Sequence, residues 1–312
     1  MTKKTHKKRA KHNRPSALLA LLHERYRAEH RRAERLQVDL EWTQWLRSTW
    51  AFRAVRSLKR ALASSPPDQA QDHVDRELPF TPVTPQGKVS IIIPFRDQFD
   101  LLRSCLQSVQ TSTYRDYEII LVNNGSRERR TLRYLHRARR SARHHVVDCD
   151  EPFNFSLLCN RGVEQSQGEW VLFLNNDTLV RSQDWLESLL VTALQPGVGV
   201  VGALLLYPDD SVQHAGMFRR ADGKWDHLHR HEHWSEIRQQ EKWQHPRGVA
   251  AVTGACLLLR REFFLSLEGF DESLPTIGSD TDLCERARGL GYQIALAPQA
   301  QLWHYESLSR GF

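Results

Sequence analysis

A chain of 312 residues, 40% hydrophobic and 26% charged, is long enough for one large core and an appendage. No stretch approaches the roughly 20 consecutive apolar residues of a membrane-spanning helix. The basic start Met1 to Arg14 leads only into the short apolar run Ala17 to Leu22, which is no secretory leader, so a cytoplasmic protein is expected.

The five cysteines are odd in number, widely spaced and free of any C-x-x-C pair, so neither a disulfide framework nor a zinc site is expected. The net charge of +7 is uneven: residues 1–80 hold 18 Lys/Arg against 9 Asp/Glu, and the basicity belongs to the N-terminal part. Residues 1–15 read as a basic disordered tail, too poor in apolar side chains to fold alone. Residues 16–63 read as a helical appendage, with Leu18, Leu19, Leu22 and Tyr26, then Trp42, Trp45, Leu46, Thr49 and Phe52, near three- and four-residue spacing. Proline at 66, 67, 79, 82 and 85 breaks helix repeatedly and makes residues 64–87 a linker.

From 88 to 312 short apolar runs alternate with amphipathic helices, which predicts an α/β domain with a mostly parallel sheet flanked by helices. The clearest strands are Val89 to Ile93, Tyr117 to Val122, Trp170 to Leu174 and Val198 to Leu205. Between the first two a helix carries Leu101, Leu102, Cys105, Leu106 and Val109 on one stripe. In open α/β sheets ligands bind beyond the carboxyl ends of the strands, so chemistry belongs in the loops after those ends.

The first strand ends in Pro94-Phe95-Arg96-Asp97 and the second in Asn123-Asn124-Gly125-Ser126, polar loops that serve equally as turns or as the wall of a heterocycle pocket. The third runs into Asn175-Asn176-Asp177-Thr178. A carboxylate there either caps the next helix or offers an oxygen ligand to a hard divalent cation. Gly278-Ser279-Asp280-Thr281-Asp282 opens a helix whose two acids either favour its dipole or supply a general base. His304 comes after a short strand, Gln301 to Trp303, and on its own reads as a structural histidine.

Taken in order, IIIPFRD, EIILVNNGS, PFNFSLLCNRGV, GEWVLFLNNDT, YPDDSVQHAG, VTGACLLLRREFF, GFDE, SDTDLCERARGLGY and WHYESLSRG make the segment from Val89 to Gly311 resemble the family 2 inverting glycosyltransferases of GT-A fold. The closest likeness is to a bacterial subgroup that makes surface polysaccharide. The resemblance implies transfer of a sugar from a nucleoside-diphosphate-sugar, with UDP the commonest, to a hydroxyl of a glycan or lipid-linked acceptor. It places Pro94, Phe95, Arg96, Asp97 and Asn123 at the nucleotide base, and Asn160, Arg161 and Asn176 near ribose or diphosphate. Asn175 and Asp177 fall at the family's D-x-D metal motif, for Mn²⁺ or Mg²⁺, with His304 completing the shell. Asp280 matches the catalytic base and Asp282 competes for that role. His214, within the turn Gln213 to Gly216, and Thr253, Gly254 and Ala255 are assigned to the acceptor or sugar side.

Asparagine stands at 123 and 175 where relatives commonly carry aspartate. These substitutions support a second reading, a catalytically degenerate GT-A scaffold that acts through its basic helical N-terminus. The basic tail suits peripheral contact with an anionic membrane, and residues 16–63 suit packing or self-association. No nucleic-acid partner is expected, because no nucleic-acid module is present.

Overall fold

The computed structural model describes residues 75–306. The expected tail and helical appendage, and the linker up to residue 74, lie outside the described residues.

The part of the expected linker that is described is no free tether. Strand β1 (Arg76–Glu77) pairs antiparallel with a strand at Arg247–Val249, and Leu78 is buried. Asp75 pairs with Arg247 and Lys242, and Thr81 exchanges hydrogen bonds with the Gln195 amide. The prolines forbid helix, but an extended proline-rich segment still docks along a surface, which is what happens here.

Strand β2 (Val89–Phe95) and helix α1 (Phe99–Val109) open the domain, and the helix buries the predicted stripe Leu101, Leu102, Cys105, Leu106 and Val109. Then come β3 (Tyr117–Asn123), α2 (Arg129–Ala138), β4 (His144–Asp148), α3 (Phe155–Glu164) and β5 (Trp170–Leu174). These strands lie in the order β5-β2-β3-β4 and all run parallel, as the alternation of strand and helix predicts. Successive residues of β2 sort to opposite faces. Ile91 and Ile93 join one core with α1, while Ile92 joins a second core with α3.

The remaining elements are β6 (Thr178–Val180), α4 (Trp185–Ala193), β7 (Val198–Leu206), β8 (Val212–His214), β9 (Met217–Arg219) and β10 (Trp225–His227). They continue with α5 (Trp234–Ile237), β11 (Arg247–Val249), β12 (Cys256–Arg260), α6 (Arg261–Ser266), α7 (Ser279–Gly289) and β13 (Gln293–His304). Here the sheet becomes mixed: β12 lies antiparallel between β5 and β7, and β13 lies parallel to β7 but antiparallel to β11 and β6. The run Cys-Leu-Leu-Leu of β12 is buried on both faces, and such a run does not encode strand direction. The sheet is therefore wholly parallel in its first half and mixed in its second.

All five cysteines are free and buried. Burial pushes the Cys105 and Cys284 thiols up to about 12. No helix among the described residues is long and apolar enough to cross a membrane.

Candidate active site

The carboxyl ends of β2, β3, β5, β7 and β13 share one edge of the sheet. Antiparallel β12 brings its amino end to the same edge, Cys256 opposite Leu174. Every loop singled out in the sequence therefore converges there.

The metal-motif loop comes directly after β5. Strand β6 leaves it at once and pairs with the end of β13 in a register that sets His304 opposite Thr178. Tyr305 N donates to Asp177 O at 3.0 Å, and the His304 Nε2 stands 3.2 Å from Asp177 Oδ1. Asn175 Nδ2 is 3.3 Å from the same Nε2. A three-residue strand thus joins two residues far apart in sequence. The Asn176 side chain is buried in this loop, and its Nδ2 has no hydrogen-bond partner among the described residues.

The other side of His304 is held firmly. Gln213 Oε1 lies 2.7 Å from His304 Nδ1, while Gln213 Nε2 donates to Glu306 Oε2 at 3.2 Å. With the amide nitrogen turned to a carboxylate, Gln213 offers His304 only its oxygen. His304 must then carry a proton on Nδ1, and its Nε2 is turned to Asp177 and Asn175. The network runs on through Glu306 to the Tyr207 hydroxyl and from there to Arg230. The sequence assigns Gln213 to the acceptor side with its turn; its side chain instead serves His304. Tyr207 and Glu306 fall inside the stretches YPDDSVQHAG and WHYESLSRG without being singled out there, and Arg230 lies in none of the quoted stretches.

The turn Thr253 to Ala255 is a junction. Ala255 O accepts from Asn175 N at 3.0 Å, Gly254 N donates to Asp280 Oδ2 at 3.0 Å, and Thr253 N donates to His214 Nε2 at 3.4 Å. Gly254 packs so close that a Cβ there would lie 3.2 Å from the Phe155 ring. The turn so ties the metal loop to the acid at the start of α7.

Asp280 and Asp282 part company here. Asp280 is half-buried at the site edge, accepting from Gly254 N and from Thr281 N at 2.8 Å. Asp282 faces inward and takes Arg286 Nε at 2.9 Å, and Arg286 in turn donates to the Leu267 and Gly269 carbonyls. That commitment makes Asp282 a brace between α7 and the loop after α6. Neither Ser279 nor Asp280 caps α7; Gly278 does so, in a left-handed conformation with φ 90°.

His214 corrects the expectation of an acceptor-facing residue. It is fully buried and contacts His227, Nδ1 to Nδ1 at 2.9 Å. Burial, with His227 and His304 nearby, holds it well below its ordinary 6.5, so it is neutral. Accepting from Thr253 N at Nε2, it donates from Nδ1 to His227.

The nucleotide-side residues divide in the same way. Asp97 Oδ1 accepts from Arg127 N at 2.6 Å and Glu128 N at 2.7 Å, and Ser126 Oγ accepts from Asp97 N at 2.8 Å. Asn123 donates to Asp148 and accepts from Ser126 N, while Asn160 bonds both Phe270 N and Phe270 O. These three side chains fasten loops to one another, a role that turn residues with polar tips commonly take. Pro94 and Phe95 are buried at the strand end, and Arg96 is exposed at the mouth. Arg161 is exposed and lines an open depression with Asp148, Cys149, Asp150, Glu151 and Leu157.

A parallel half-sheet with its loops at one edge, then an acid and a histidine joined across β6 and β13, defines the class of GT-A glycosyltransferases. The chain belongs to glycosyl transferase family 2, whose profile matches residues 90–267. Its relatives include the uncharacterized protein y4gI of Sinorhizobium fredii, 42% identical over 229 residues, which covers 72% of this chain and 25% of that protein. The O-antigen biosynthesis protein RfbC of Myxococcus xanthus is 37% identical over 242 residues, covering 73% of this chain and 18% of the relative. The chain thus spans a quarter or less of the length of these relatives. Among solved structures, that of GalNAc-T7 with UDP, GalNAc and Mn²⁺ matches with a TM-score of 0.59 at 16% identity, covering 70% of this chain and 43% of that one.

Proposed function

We propose that residues 88–306 form the catalytic domain of an inverting, divalent-metal-dependent glycosyltransferase acting in surface-polysaccharide synthesis. It would move a sugar from a nucleoside diphosphate to a hydroxyl of a glycan or lipid-linked acceptor. The observation that carries this reading is the Asp177 and His304 pair, oriented by Gln213 and tied through Gly254 to Asp280.

The residues present fit a hard divalent cation. Two ligand atoms at right angles on one cation, with bonds of about 2.1 Å, stand about 3 Å apart, and Asp177 Oδ1 and His304 Nε2 are 3.2 Å apart. Nε2 ligates once it has no proton, and Gln213 holds the other nitrogen in the manner of a metal-bound histidine. Asp177 and His304 would hold the ion, with Asn175 beside them. When bound, the ion supplies Lewis-acid neutralisation of charge on a departing diphosphate. The buried Asn176 Nδ2 is a donor suited to a phosphate oxygen.

Asp280 takes the proton of the acceptor hydroxyl as its oxygen attacks the anomeric carbon from the face opposite the diphosphate, inverting that carbon. Gly254 N–H and Thr281 N–H hold the carboxylate in place. Asp282, neutralised by Arg286, does not compete. On the nucleotide side the strand-end loops shape the pocket, and Arg161 faces ribose or diphosphate. The GalNAc-T7 structure contains UDP and Mn²⁺, which makes UDP-sugars with Mn²⁺ the first donors to try.

The test is a thermal-shift panel of nucleoside diphosphates with and without Mn²⁺, then donor hydrolysis for wild type and Asp177→Ala under EDTA and under Mn²⁺. A ligand that binds the native state raises its melting temperature. Metal-dependent stabilisation by one nucleotide class and loss of turnover in the variant are expected. Full turnover in EDTA would remove the metal from the mechanism.

A further inference from the structure

Between Arg127 and Arg143 the chain carries eight arginines and a single acid, Glu128. Helix α2 sorts them. It buries Thr131, Leu135 and Ala138 against the domain. On its flanks Arg130 forms a bidentate pair with Asp100, both bonds 2.8 Å, and Arg139 pairs with Asp148. Arg129, Arg133 and Arg137 succeed one another at four-residue spacing on the opposite face, and Arg140 stands in the turn that closes the helix. All four are exposed, and among the described residues none has a carboxylate within 4.0 Å. Leu132, 45% exposed, and exposed His136 lie on the same face.

Nothing in the local stability of α2 accounts for this stripe. Like charges four residues apart on a helix repel, and Arg129 and Arg130 occupy a first turn that favours acids and contains none. The flanking arginines show that the domain supplies carboxylates where it uses them. The outward row is left for a countercharge from elsewhere.

We propose that the outward face of α2 docks on an anionic lipid surface and holds the domain there. Interfacial helices combine a row of Arg or Lys with exposed Leu. A nucleic acid is the poorer match, because this face carries no Asn, Gln, Phe, Tyr or Trp side chain to read or stack a base. Attachment here differs from attachment by the basic tail, because α2 is part of the folded domain. Its amino end continues from Ser126 to Glu128, the loop fastened to Asp97 at the carboxyl edge of the sheet. Docking through α2 therefore holds the candidate donor loops next to the surface. The inference concerns attachment only and stands apart from the chemistry proposed for Asp177 and Asp280.

The test is co-sedimentation of the full-length chain with phosphatidylcholine vesicles and with vesicles that also contain phosphatidylglycerol, at low and high salt. One variant carries Arg129→Gln, Arg133→Gln, Arg137→Gln and Arg140→Gln together. Another carries Gln in place of Lys3, Lys4, Lys7, Lys8, Arg9 and Lys11. Each Arg at such a surface is worth about fivefold in affinity, so the α2 variant should lose about 10²- to 10³-fold on anionic vesicles at low salt. The tail variant should keep that salt-sensitive α2 contribution, and donor hydrolysis should be unchanged in both. If the quadruple variant melts below wild type, Arg133→Gln and Arg137→Gln singly, each expected to lose about fivefold, carry the test. Equal binding by the α2 variants and wild type would overturn the proposal. So would equal wild-type binding to neutral vesicles, or tighter binding of a DNA duplex than of anionic vesicles.

Discussion

The parallel half of the sheet, β4-β3-β2-β5, and the mixed half beyond it spend their polar residues differently. In the first, Asp97, Asn123 and Asn160 bind backbone groups of neighbouring loops and are largely consumed in doing so. In the second, Asp177, His304 and Asp280 are themselves held by other groups, with Gln213 and Gly254 as the holders. The parallel half is a frame of loops fastened to one another, and the mixed half holds in place the side chains proposed for the chemistry. Substitutions should separate the two, lowering stability in the first and chemistry in the second.

The largest effect is expected at Asp280. General-base help is worth about 10²- to 10⁴-fold, so Asp280→Asn should lose that much turnover while retaining donor affinity by calorimetry. Asp282→Asn should instead keep turnover near wild type and lower stability by about 1.5–3 kcal/mol, the value of one hydrogen bond to a charged group. The opposite outcome for the pair would reverse the two roles.

Next is Gln213. Loss of a residue that orients a metal-bound histidine weakens metal binding by about 10- to 100-fold. Gln213→Leu should do this in a Mn²⁺ titration monitored by electron paramagnetic resonance, with the melting temperature of the apo protein little changed. Gln213→Glu keeps an oxygen toward His304 Nδ1 and should recover much of the affinity. Equal Mn²⁺ affinity in Gln213→Leu would show that the contact does not orient the histidine.

On the frame side, Asp97→Ala removes the acceptor of two backbone N–H groups and should cost about 2 kcal/mol. For a domain of this size that is a fall of about 4–8 °C in melting temperature. Unchanged melting with loss of donor binding would instead place Asp97 at the nucleotide.

The smallest effect concerns acid. Burial alone would raise the Asp75 carboxyl, but the His229 hydrogen bond and the Arg247 and Lys242 charges outweigh it and hold Asp75 at about 2. A lowered folded-state value means stability that is present above the ordinary 3.8 and lost as pH falls toward 2, worth about 2 kcal/mol. Wild type should lose that stability between pH 4 and 2. Asp75→Asn should show a flatter acid limb in urea titrations across that interval.

Much of this was legible in the sequence, for reasons visible in particular residues. The runs at Val89, Tyr117 and Trp170 are apolar apart from Ser90 and Glu118 because those strands are buried on both faces, and their ends fall where the polar loop residues begin. The stripe of α1 has the helical period. The meeting of Asp177 with His304 came from resemblance and not from spacing, because it depends on β6, three residues too short to give a period. The direction of β12 was hidden for want of alternation. The docking of residues 75–87 was hidden because proline excludes helix without indicating what an extended chain lies against. Polar loop residues gave the neighbourhood but not the partner: nothing local distinguishes Asp97, which takes the Arg127 and Glu128 amides, from Asp280, which takes those of Gly254 and Thr281.

The turn at 253–255 governs how this site can vary. Its three contacts, to His214, Asp280 and Asn175, are all made by backbone atoms on consecutive residues. The spacing of Asp280 from the loop at 175–177 is therefore written in the main chain and does not depend on the side chain at Thr253. Gly254, pressed against the Phe155 ring, is the one fixed point. Of the two flanking positions only Thr253 is part-exposed and open to exchange with these contacts left in place, because Ala255 is packed in the core.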